Sequence, residues 1–290
     1  ELRSEGFGSI VLPLLADIGD TARMEYIMDR YRPKIIFHSA AHKHVPMIEL
    51  QPGEALKNNT LATASFARLA SKYDCARFIF ISSDKAINPT SAMGASKRLA
   101  ECYLQALQSL PENNTIFLAV RFGNVLGSSG SVVPIFKKQI REGGPVTVTH
   151  PDVTRYFMSI PEAVGLVLQT STLGEGADIF VLDMGQPIKV VDVARQLIEL
   201  SGFEPDLDIE IKFVGLRPGE KLFEELKHKG EQYLPTSHPR VQRFIAPDPG
   251  NLAQLDEEFA ALRENLETLD RNQLKQRLQK YVPEYSPYLD

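Results

Sequence analysis

The sequence has few cysteines, no long apolar run and no excess of basic residues. Its two cysteines, Cys75 and Cys102, form neither a CxxC pair nor a disulfide framework, which suits a reducing compartment. The apolar run 10–16 is interrupted by Pro13 and is far shorter than the roughly 18 residues that a membrane-spanning helix needs. The formal charge of -5 and the pI near 5.8 argue against a protein that binds the phosphate backbone of nucleic acids.

The size and composition are those of an ordinary globular protein. At about 150 residues per domain, the 290 residues predict two domains or one large α/β unit. Hydrophobic residues make up 43% of the chain and charged residues 24%. A chain of this length buries about three quarters of the surface that it exposes when unfolded. The sequence can therefore form a large core.

The first half of the chain alternates apolar runs with helical patterns. Four runs predict buried strands, at 12–16, 34–38, 77–82 and 115–120. Three stretches with helical spacing predict helices, at 21–31, 53–73 and 91–109. Asp20 is the predicted N-cap of the first helix. Strands of this kind, separated by helices, predict a parallel sheet covered on both faces.

The second half has a different texture. Glycine, proline and serine cluster between 123 and 134, and shorter elements follow at 135–141, 145–149, 161–172, 179–182 and 190–201. This pattern predicts a smaller second domain. Two charged amphipathic helices, at 252–266 and 272–281, are interpreted as solvated outer faces.

The residues that follow the strands are the first candidates for a site, because ligands bind at the carboxyl ends of the strands in open α/β sheets. After the strand 34–38, the small side chains of Ala40 and Ala41 would let the backbone approach a bound cofactor closely. Lys43 would supply a positive charge to a phosphate or hydroxyl group. His42 and His44 have no carboxylate or cysteine cluster nearby in the sequence, so we expect no metal site.

A second group follows the strand 77–82, in the sequence Ser82-Ser83-Asp84-Lys85. Farther on, Met93 and Lys97 share one face of a helix because they are four residues apart. This spacing places Lys97 within reach of Ser83. A serine at a strand end, followed by a helical residue-x-x-x-Lys, resembles the short-chain dehydrogenase/reductase superfamily, in which a tyrosine normally occupies the place of Met93.

Five motifs make the resemblance more specific, and they occur in this order: Ala40-Ala41-His42-Lys43-His44-Val45-Pro46, Ser82-Ser83-Asp84-Lys85-Ala86, Arg121-Phe122-Gly123-Asn124-Val125-Leu126-Gly127, Thr154-Arg155-Tyr156-Phe157-Met158 and Arg217-Pro218-Gly219-Glu220-Lys221-Leu222. Together they resemble the UDP-N-acetylglucosamine 4,6-dehydratases of bacterial capsule and O-antigen biosynthesis, a subgroup that also carries methionine in place of tyrosine. The resemblance extends to about Arg243. It implies a Rossmann-type, doubly wound parallel sheet in residues 1–130, a nucleotide-sugar-binding domain in 131–250 and C-terminal helices in 251–290.

The resemblance also implies a reaction, the loss of water across C5 and C6 of the sugar. NAD, or NADP, takes a hydride from C4 and returns it to C6. Asp84 is then the general acid at C6, with its pKa raised by burial, and Lys85 is the C5 base, kept partly neutral by desolvation. Ser83 would bind the C4 oxygen and Lys97 the nicotinamide ribose. Met93 cannot exchange a proton and would form a wall of the site.

Binding residues follow from the same resemblance. On the cofactor side, Asp17 would contact the adenine amino group and Asn59 would brace the loop near the pyrophosphate. Ala40, Ala41 and Ser82 complete that set. On the substrate side, the expected residues are Lys43, Asn124, Val133, Pro134, Arg155, Arg217 and Glu220. The two arginines would hold the diphosphate, Val133-Pro134-Ile135 would line the uracil pocket, and Glu220 would either bind a ribose hydroxyl or form a structural salt bridge.

One expected motif is absent from the sequence, the G-x-G-x-x-G turn between the first strand and the first helix. Gly6-Phe7-Gly8 precedes the predicted strand 12–16 instead of following it. By the usual length of a βαβ unit, the resemblance implies that roughly the first 40–60 residues of the domain are missing. It further implies a homo-oligomeric cytoplasmic domain of an inner-membrane protein with membrane helices upstream, which binds a UDP-sugar and no nucleic acid.

Two alternatives stay open on the sequence alone. A UDP-sugar 4-epimerase would use the same cofactor but needs a tyrosine where this chain has Met93. A non-catalytic nucleotide-sugar-binding module would tolerate Met93. Each candidate residue also has an ordinary structural interpretation, since Ser83 and Asp84 can end a strand, Met93 can fill a core and Lys97 can lie on a solvated helix face.

Overall fold

A computed structural model describes residues 11–227, 232–246 and 249–289 of the chain. The strands are β1 (Ile35–His38), β2 (Arg77–Ile81), β3 (Ile116–Arg121), β4 (Asn124–Val125), β5 (Val146–Val148), β6 (Thr154–Arg155), β7 (Phe157–Met158), β8 (Asp178–Leu182), β9 (Ile188–Lys189), β10 (Ile211–Phe213), β11 (Gln232–Pro235) and β12 (Val241–Ile245). The α-helices are α1 (Thr21–Tyr31), α2 (Val45–Leu50), α3 (Pro52–Ala55), α4 (Thr63–Lys72), α5 (Ala92–Gln108), α6 (Val132–Arg141), α7 (Ile160–Leu173), α8 (Val190–Leu200), α9 (Leu252–Asn265) and α10 (Arg271–Tyr281). A π-helical segment (Leu56–Ala62) joins α3 to α4, and a 3-10 turn (Asp84–Ala86) follows β2.

The main sheet has the strand order β1-β2-β3-β8-β12-β11. Its first four strands are parallel, which confirms the predicted Rossmann-like α/β fold. β12 and β11 then add an antiparallel edge, so strands from the C-terminal half widen the sheet. Because these four strands run in the same direction, their carboxyl ends lie at the same edge of the sheet. Ligands bind at this edge in such sheets.

The first layer of helices packs on one face of the sheet around α5. That helix is buried over almost its whole length, so its outer side also needs a cover. α9 and α10 provide this cover with the buried side chains Leu255, Phe259, Leu262, Leu274 and Leu278. The prediction that these two helices are solvated outer faces was therefore wrong for their apolar sides.

A buried ion pair connects α10 to α2. The Lys275 ammonium lies 2.8 Å from Glu49 Oε2, and both side chains are almost fully buried. Glu49 Oε1 accepts a 2.6 Å hydrogen bond from the backbone N–H of Ala92, the first residue of α5. The C-terminal helix therefore supplies the counter-charge of a residue that holds the start of α5.

The opposite face of the sheet is covered by α7, whose Leu166 and Val167 pack on Leu118 and Val120 of β3. β1 lies at one edge of the sheet, and Ile35 and Phe37 on it stay half exposed.

The strand predicted at 12–16 is absent from the structure. Pro13 has no backbone N–H to give to a neighbouring strand, and Leu15 is 95% exposed. The predicted Gly6-Phe7-Gly8 feature lies outside the described residues.

A smaller core forms in the C-terminal half. α6 and α8 pack against β5 and β10 through Phe136, Ile140, Val146, Ala194 and Ile198. The short pairs β4–β7 and β6–β9 connect this region to the ends of the main sheet. No helix in the described ranges is long and apolar enough to cross a membrane.

Candidate active site at the strand ends

The ends of β2 and β3 are held together by backbone hydrogen bonds. The N–H of Ser82 donates to Val120 O at 2.9 Å, and the N–H of Asp84 donates to Phe122 O at 3.1 Å. The Ser83 hydroxyl donates to Asp84 Oδ1 at 2.9 Å and accepts from the Lys85 N–H at 3.2 Å. The 3-10 turn thereby fixes the two predicted proton-transfer residues at the ligand-binding edge.

Three ionisable side chains meet there. Lys85 Nζ lies 3.1 Å from Asp84 Oδ1 and 2.6 Å from Glu224 Oε1. The Asp84 side chain is fully buried and the Glu224 side chain is 3% exposed. The two carboxyl groups also contact each other. Such a buried cluster of charges in a cleft is typical of catalytic sites.

Arg155 closes the other side of this cluster. Its Nε lies 3.2 Å from Glu224 Oε1 and its Nη2 3.0 Å from Glu220 Oε1. Its Nη1 donates to the Thr154 carbonyl at 2.7 Å. Every nitrogen of the guanidinium is paired with a protein group, and the predicted contact of Arg155 with a diphosphate stays a prediction. Of the two roles left open for Glu220, the salt bridge is the one observed.

The pKa values differ from the expectation. Burial by itself would raise the pKa of Asp84, but the Lys85 ammonium, the contact with Glu224 and the Ser83 hydroxyl outweigh it and lower the pKa. Burial would lower the pKa of Lys85, but Asp84 and Glu224 raise it. Asp84 is thus held as a carboxylate and Lys85 as an ammonium ion. The predicted shifts were wrong in direction because both depended on burial alone.

Glu224 is the acid whose pKa rises. Burial, followed by the neighbouring Asp84 carboxylate, raises the pKa of Glu224 to about 7. Asn124 Nδ2 lies 3.4 Å from its Oε2, a long contact. Sequence reasoning missed Glu224, although it stands four residues after Glu220 of the fifth motif. The signal that could have identified it is a second carboxylate, close to the fifth motif, as a further partner for the Lys85 ammonium.

The helix α5 brings Met93 and Lys97 to the same region. Ser91 caps the helix by accepting from the N–H of Gly94. Lys97 Nζ donates to the carbonyl of Ile81 at 2.7 Å, two residues before Ser83. Burial lowers the pKa of Lys97 to about 8. Met93 is 3% exposed and belongs to the main core, so it can act only as a wall.

Asn59 holds the loop after β1 in place. Its Oδ1 accepts from the N–H of His42 at 2.8 Å, and its Nδ2 donates to the carbonyl of His42 at 3.0 Å. The same Nδ2 contacts Ser96 Oγ on α5 at 3.1 Å. Asn59 lies in the π-helical segment, a type of distortion that is frequent at functional sites. Asn59 thus connects the loop after β1 to α5, and its place beside a bound pyrophosphate stays a prediction.

The other residues expected at the cofactor surround two neighbouring cavities. Asp17, His42 and Asn58 are among the residues that line a cavity of about 650 Å³, and Ala41 and Lys43 line one of about 530 Å³. Ala40 is exposed beside them. The hydroxyl of Ser82 instead donates to the buried Glu101 at 2.6 Å, so it faces the core. The described residues contain no group of three His, Cys, Asp or Glu side chains placed to hold a metal ion.

The expected substrate residues surround a cavity of about 230 Å³, lined in part by Asn124, Arg155, Arg217 and Glu220. Its apolar wall is formed by Val132, Ile135 and Phe136 of α6.

Val133 and Pro134 do not line this cavity, because positions 132, 135 and 136 share one helix face and 133 and 134 lie off it. The expected contact of these two residues with the uracil ring stays a prediction. Arg217 is exposed, and its guanidinium has no ion pair with any of the described residues.

Comparison with known proteins now places the chain. The profile of a family described as polysaccharide biosynthesis protein matches residues 2–246. The chain belongs to this polysaccharide biosynthesis family. CapD, the capsular polysaccharide biosynthesis protein of Staphylococcus aureus, is 52% identical over 234 residues, which are 80% of this chain and 38% of CapD. The chain thus spans less than half the length of this curated relative.

Two solved structures are also similar to this polysaccharide biosynthesis chain. Pen from Bacillus thuringiensis superposes with a TM-score of 0.77 and 33% identity, over 85% of this chain and 77% of that one. DesIV, the dTDP-glucose 4,6-dehydratase of Streptomyces venezuelae solved with NAD bound, gives a TM-score of 0.68 at 16% identity, over 78% of this chain and 74% of that one. At that identity DesIV supports the fold alone.

Proposed function

We propose that the protein containing this chain is an NAD-dependent UDP-N-acetylglucosamine 4,6-dehydratase of bacterial surface polysaccharide biosynthesis. The observation that carries the proposal is the contact between Asp84 and Lys85, an acid and a base hydrogen-bonded at 3.1 Å beside cavities of about 170 and 230 Å³. The membership in the polysaccharide biosynthesis family supports the same assignment. We further propose that the chain is a cytoplasmic, oligomeric part of a membrane-anchored protein.

The residues fit a bound dinucleotide. Asn58 Oδ1 is buried and has no hydrogen-bond partner within the described part of the chain. Asn58 lines the same cavity as Asp17, so a donor on a bound molecule would satisfy this oxygen. The ammonium group of Lys97, a residue of α5, lies at the end of β2 and would hold the nicotinamide ribose. When bound, NAD supplies reversible oxidation of the sugar at C4. NADP would be accepted by the same residues.

Proton transfer at C5 and C6 falls to Asp84 and Lys85. One proton transfer from Lys85 Nζ to Asp84 Oδ1 produces a neutral amine and a neutral carboxylic acid at the same time. The amine can then take the C5 proton, and the acid can donate to the departing C6 hydroxyl. Ser83 would hydrogen-bond the C4 oxygen, whose proton would pass to water when C4 is oxidised. The residues thus supply both proton transfers without a tyrosine.

Substrate binding falls to the C-terminal half. The exposed guanidinium of Arg217 would pair with the diphosphate, whose charges suit its planar donors. Val132, Ile135 and Phe136 offer an apolar wall to the uracil ring. Lys43 and Asn124 would contact the sugar and phosphates from the sheet side.

The alternative function of UDP-sugar 4-epimerase is disfavoured by one observation. Met93 occupies the place where that reaction needs a tyrosine, and it is buried in the core. A thioether can neither give nor take the C4 proton. A non-catalytic binding module remains the second alternative and leaves the Asp84–Lys85 contact without a purpose.

The test is incubation of the full-length protein that contains this chain with NAD and UDP-N-acetylglucosamine, followed by mass spectrometry. Loss of one water molecule from the sugar nucleotide supports the proposal. A product of unchanged mass that is UDP-N-acetylgalactosamine would establish the epimerase. Bound UDP-N-acetylglucosamine without turnover would establish the binding module.

A further inference from the structure

The buried cluster contains one acid more than the proposed reaction uses. Asp84 Oδ1 accepts from Ser83 and Lys85, but Asp84 Oδ2 is buried and has no hydrogen-bond partner among the residues that the structure describes. Glu224 contacts Asp84. Two ionised carboxylates in such contact repel each other, and burial increases the repulsion. A proton placed between them removes the repulsion and gives Asp84 Oδ2 its donor.

The groups that surround Glu224 determine which acid holds that proton. Lys85 contacts both acids. Asp84 also accepts a hydrogen bond from the Ser83 hydroxyl, which favours its charged form. Arg155 faces Glu224 from β6 and divides its charge between Glu224 and Glu220.

Two further groups lie close by. Tyr156, between β6 and β7, has a pKa raised by burial and by Asp84 and Glu224, so it stays neutral. Asn124 on β4 makes a long contact with Glu224 Oε2. Asp84 is therefore the better stabilised anion, and Glu224 is the acid left to hold the proton.

We propose that Glu224 is a positioning residue that holds a proton against Asp84 and thereby allows Lys85 to pass its own proton to Asp84. The inference rests on the proposed dehydratase function. It assigns to Glu224 control over the protonation of the acid–base pair, acting through Asp84 and Lys85 without touching the sugar.

The proton count of this step balances. The resting cluster holds two protons, one on Lys85 and one on Glu224, and Asp84 is ionised. Transfer of the Lys85 proton to Asp84 gives a neutral amine, a neutral Asp84 and a still-protonated Glu224. Lys85 then gains the C5 proton and Asp84 gives its proton to the C6 oxygen, which leaves as water. As C6 receives its hydride, Lys85 gives a proton back to C5 and regains one from water, which took the C4 hydroxyl proton when C4 was oxidised. The cluster then returns to its resting state, and Glu224 keeps its proton throughout.

An ionised Glu224 would prevent this transfer. Its Oε1 lies 2.6 Å from Lys85 Nζ, so its negative charge would stabilise the ammonium ion and leave no neutral amine for C5. It would also place a second anion against Asp84. Turnover should therefore require the protonated form of Glu224.

The first experiment is a pH profile of kcat/KM for the full-length protein with NAD and UDP-N-acetylglucosamine. The wild-type rate should fall by about tenfold per pH unit above the Glu224 pKa of about 7. In Glu224→Gln, which is always neutral and nearly the same shape, this fall should move toward pH 8, where Lys97 titrates. Glu225→Gln, the adjacent half-exposed acid, is the matched control and should keep the wild-type profile. An unmoved profile in Glu224→Gln would overturn the proposal.

The second experiment does not need turnover. Infrared difference spectroscopy of the same proteins should show the C=O stretch of a buried carboxylic acid that disappears near pH 7 in the wild type and in Glu225→Gln, and is absent from Glu224→Gln. If the protein turns over substrate but shows no such titrating band, the role proposed for Glu224 is wrong and the dehydratase function stands. The band without turnover contradicts the dehydratase function and leaves the protonated Glu224 established. Circular dichroism checks that each variant is folded.

Discussion

Lys85 Nζ lies closer to Glu224, at 2.6 Å, than to Asp84 next to it in the chain, at 3.1 Å. The two partners come from opposite halves of the sequence, so the candidate acid–base cluster is complete only when the segment after β10 folds onto the ends of β2 and β3. This arrangement leads to four predictions.

Asp84→Asn should abolish water loss and leave UDP binding unchanged. The amide keeps the shape of the side chain but cannot receive the proton of Lys85 or donate one to the C6 oxygen. Mass spectrometry of the sugar nucleotide measures the first effect, and calorimetric titration with UDP measures the second. Undiminished turnover in this variant would exclude Asp84 as the acid.

Arg217→Ala should weaken UDP binding by about tenfold or more, because a hydrogen bond to a charged group contributes about 1.5–3 kcal/mol. Arg155→Ala should mainly destabilise the fold, since its guanidinium is already paired with Glu220 and Glu224. UDP titration and urea unfolding of both variants separate the two roles. Lys212→Ala, an exposed residue of β10, is the control for lost surface charge. Equal UDP affinity in Arg217→Ala and wild type would contradict the assignment.

Glu101→Gln should lower the free energy of unfolding by about 3–5 kcal/mol, the usual cost of breaking a buried ion pair. Glu101 is fully buried, and its oxygens accept from Arg121 at 2.9 and 2.6 Å and from Ser82 at 2.6 Å. Burial would raise the pKa of Glu101, but Arg121 and Arg98 outweigh it and keep the group charged. Urea unfolding measures the loss, with the exposed Glu112→Gln as control. A loss no larger than that of the control would show that this network adds nothing to stability.

The contribution of Glu224 to the free energy of unfolding should decrease as the pH rises from about 4.5 to about 7, against the opposite contribution of the buried His38, whose pKa burial lowers to about 3. Folding raises the pKa of Glu224 from its ordinary 4.5 to about 7, so its contribution is complete below 4.5 and is lost as the pH passes 7. The loss is at most about 3 kcal/mol, at 1.36 kcal/mol for each pKa unit. Glu224→Gln should remove this part of the pH dependence in urea unfolding. Parallel curves for the two proteins would contradict the raised pKa.

The sequence predicted local structure well where local rules decide it. The helix α1 begins and ends where its spacing and the N-cap Asp20 predicted, and β2 and β3 begin and end within one residue of their apolar runs. The side of the helix on which Val133 and Pro134 lie could not be predicted, because it depends on the helix starting at Val132.

Long-range contacts account for the other errors. The raised pKa of Glu224, and its part in the pKa shifts of Asp84 and Lys85, depend on a contact between distant segments that no local pattern identifies. The covered faces of α9 and α10 depend on the outer side of α5, which is itself apolar. In both cases the missing information is which distant segment packs against a given residue.

Through the Glu49–Lys275 pair, the last helix influences the candidate active site although it does not contact it. A chain shortened before Arg271 would leave Glu49 as a buried anion without its cation, under the first turn of the helix that carries Met93 and Lys97. Trimming the C-terminus to ease crystallisation would therefore disturb the position of α5 and with it the active site. The variant would lose activity as a catalytic mutant does, although every residue at the strand ends was still present.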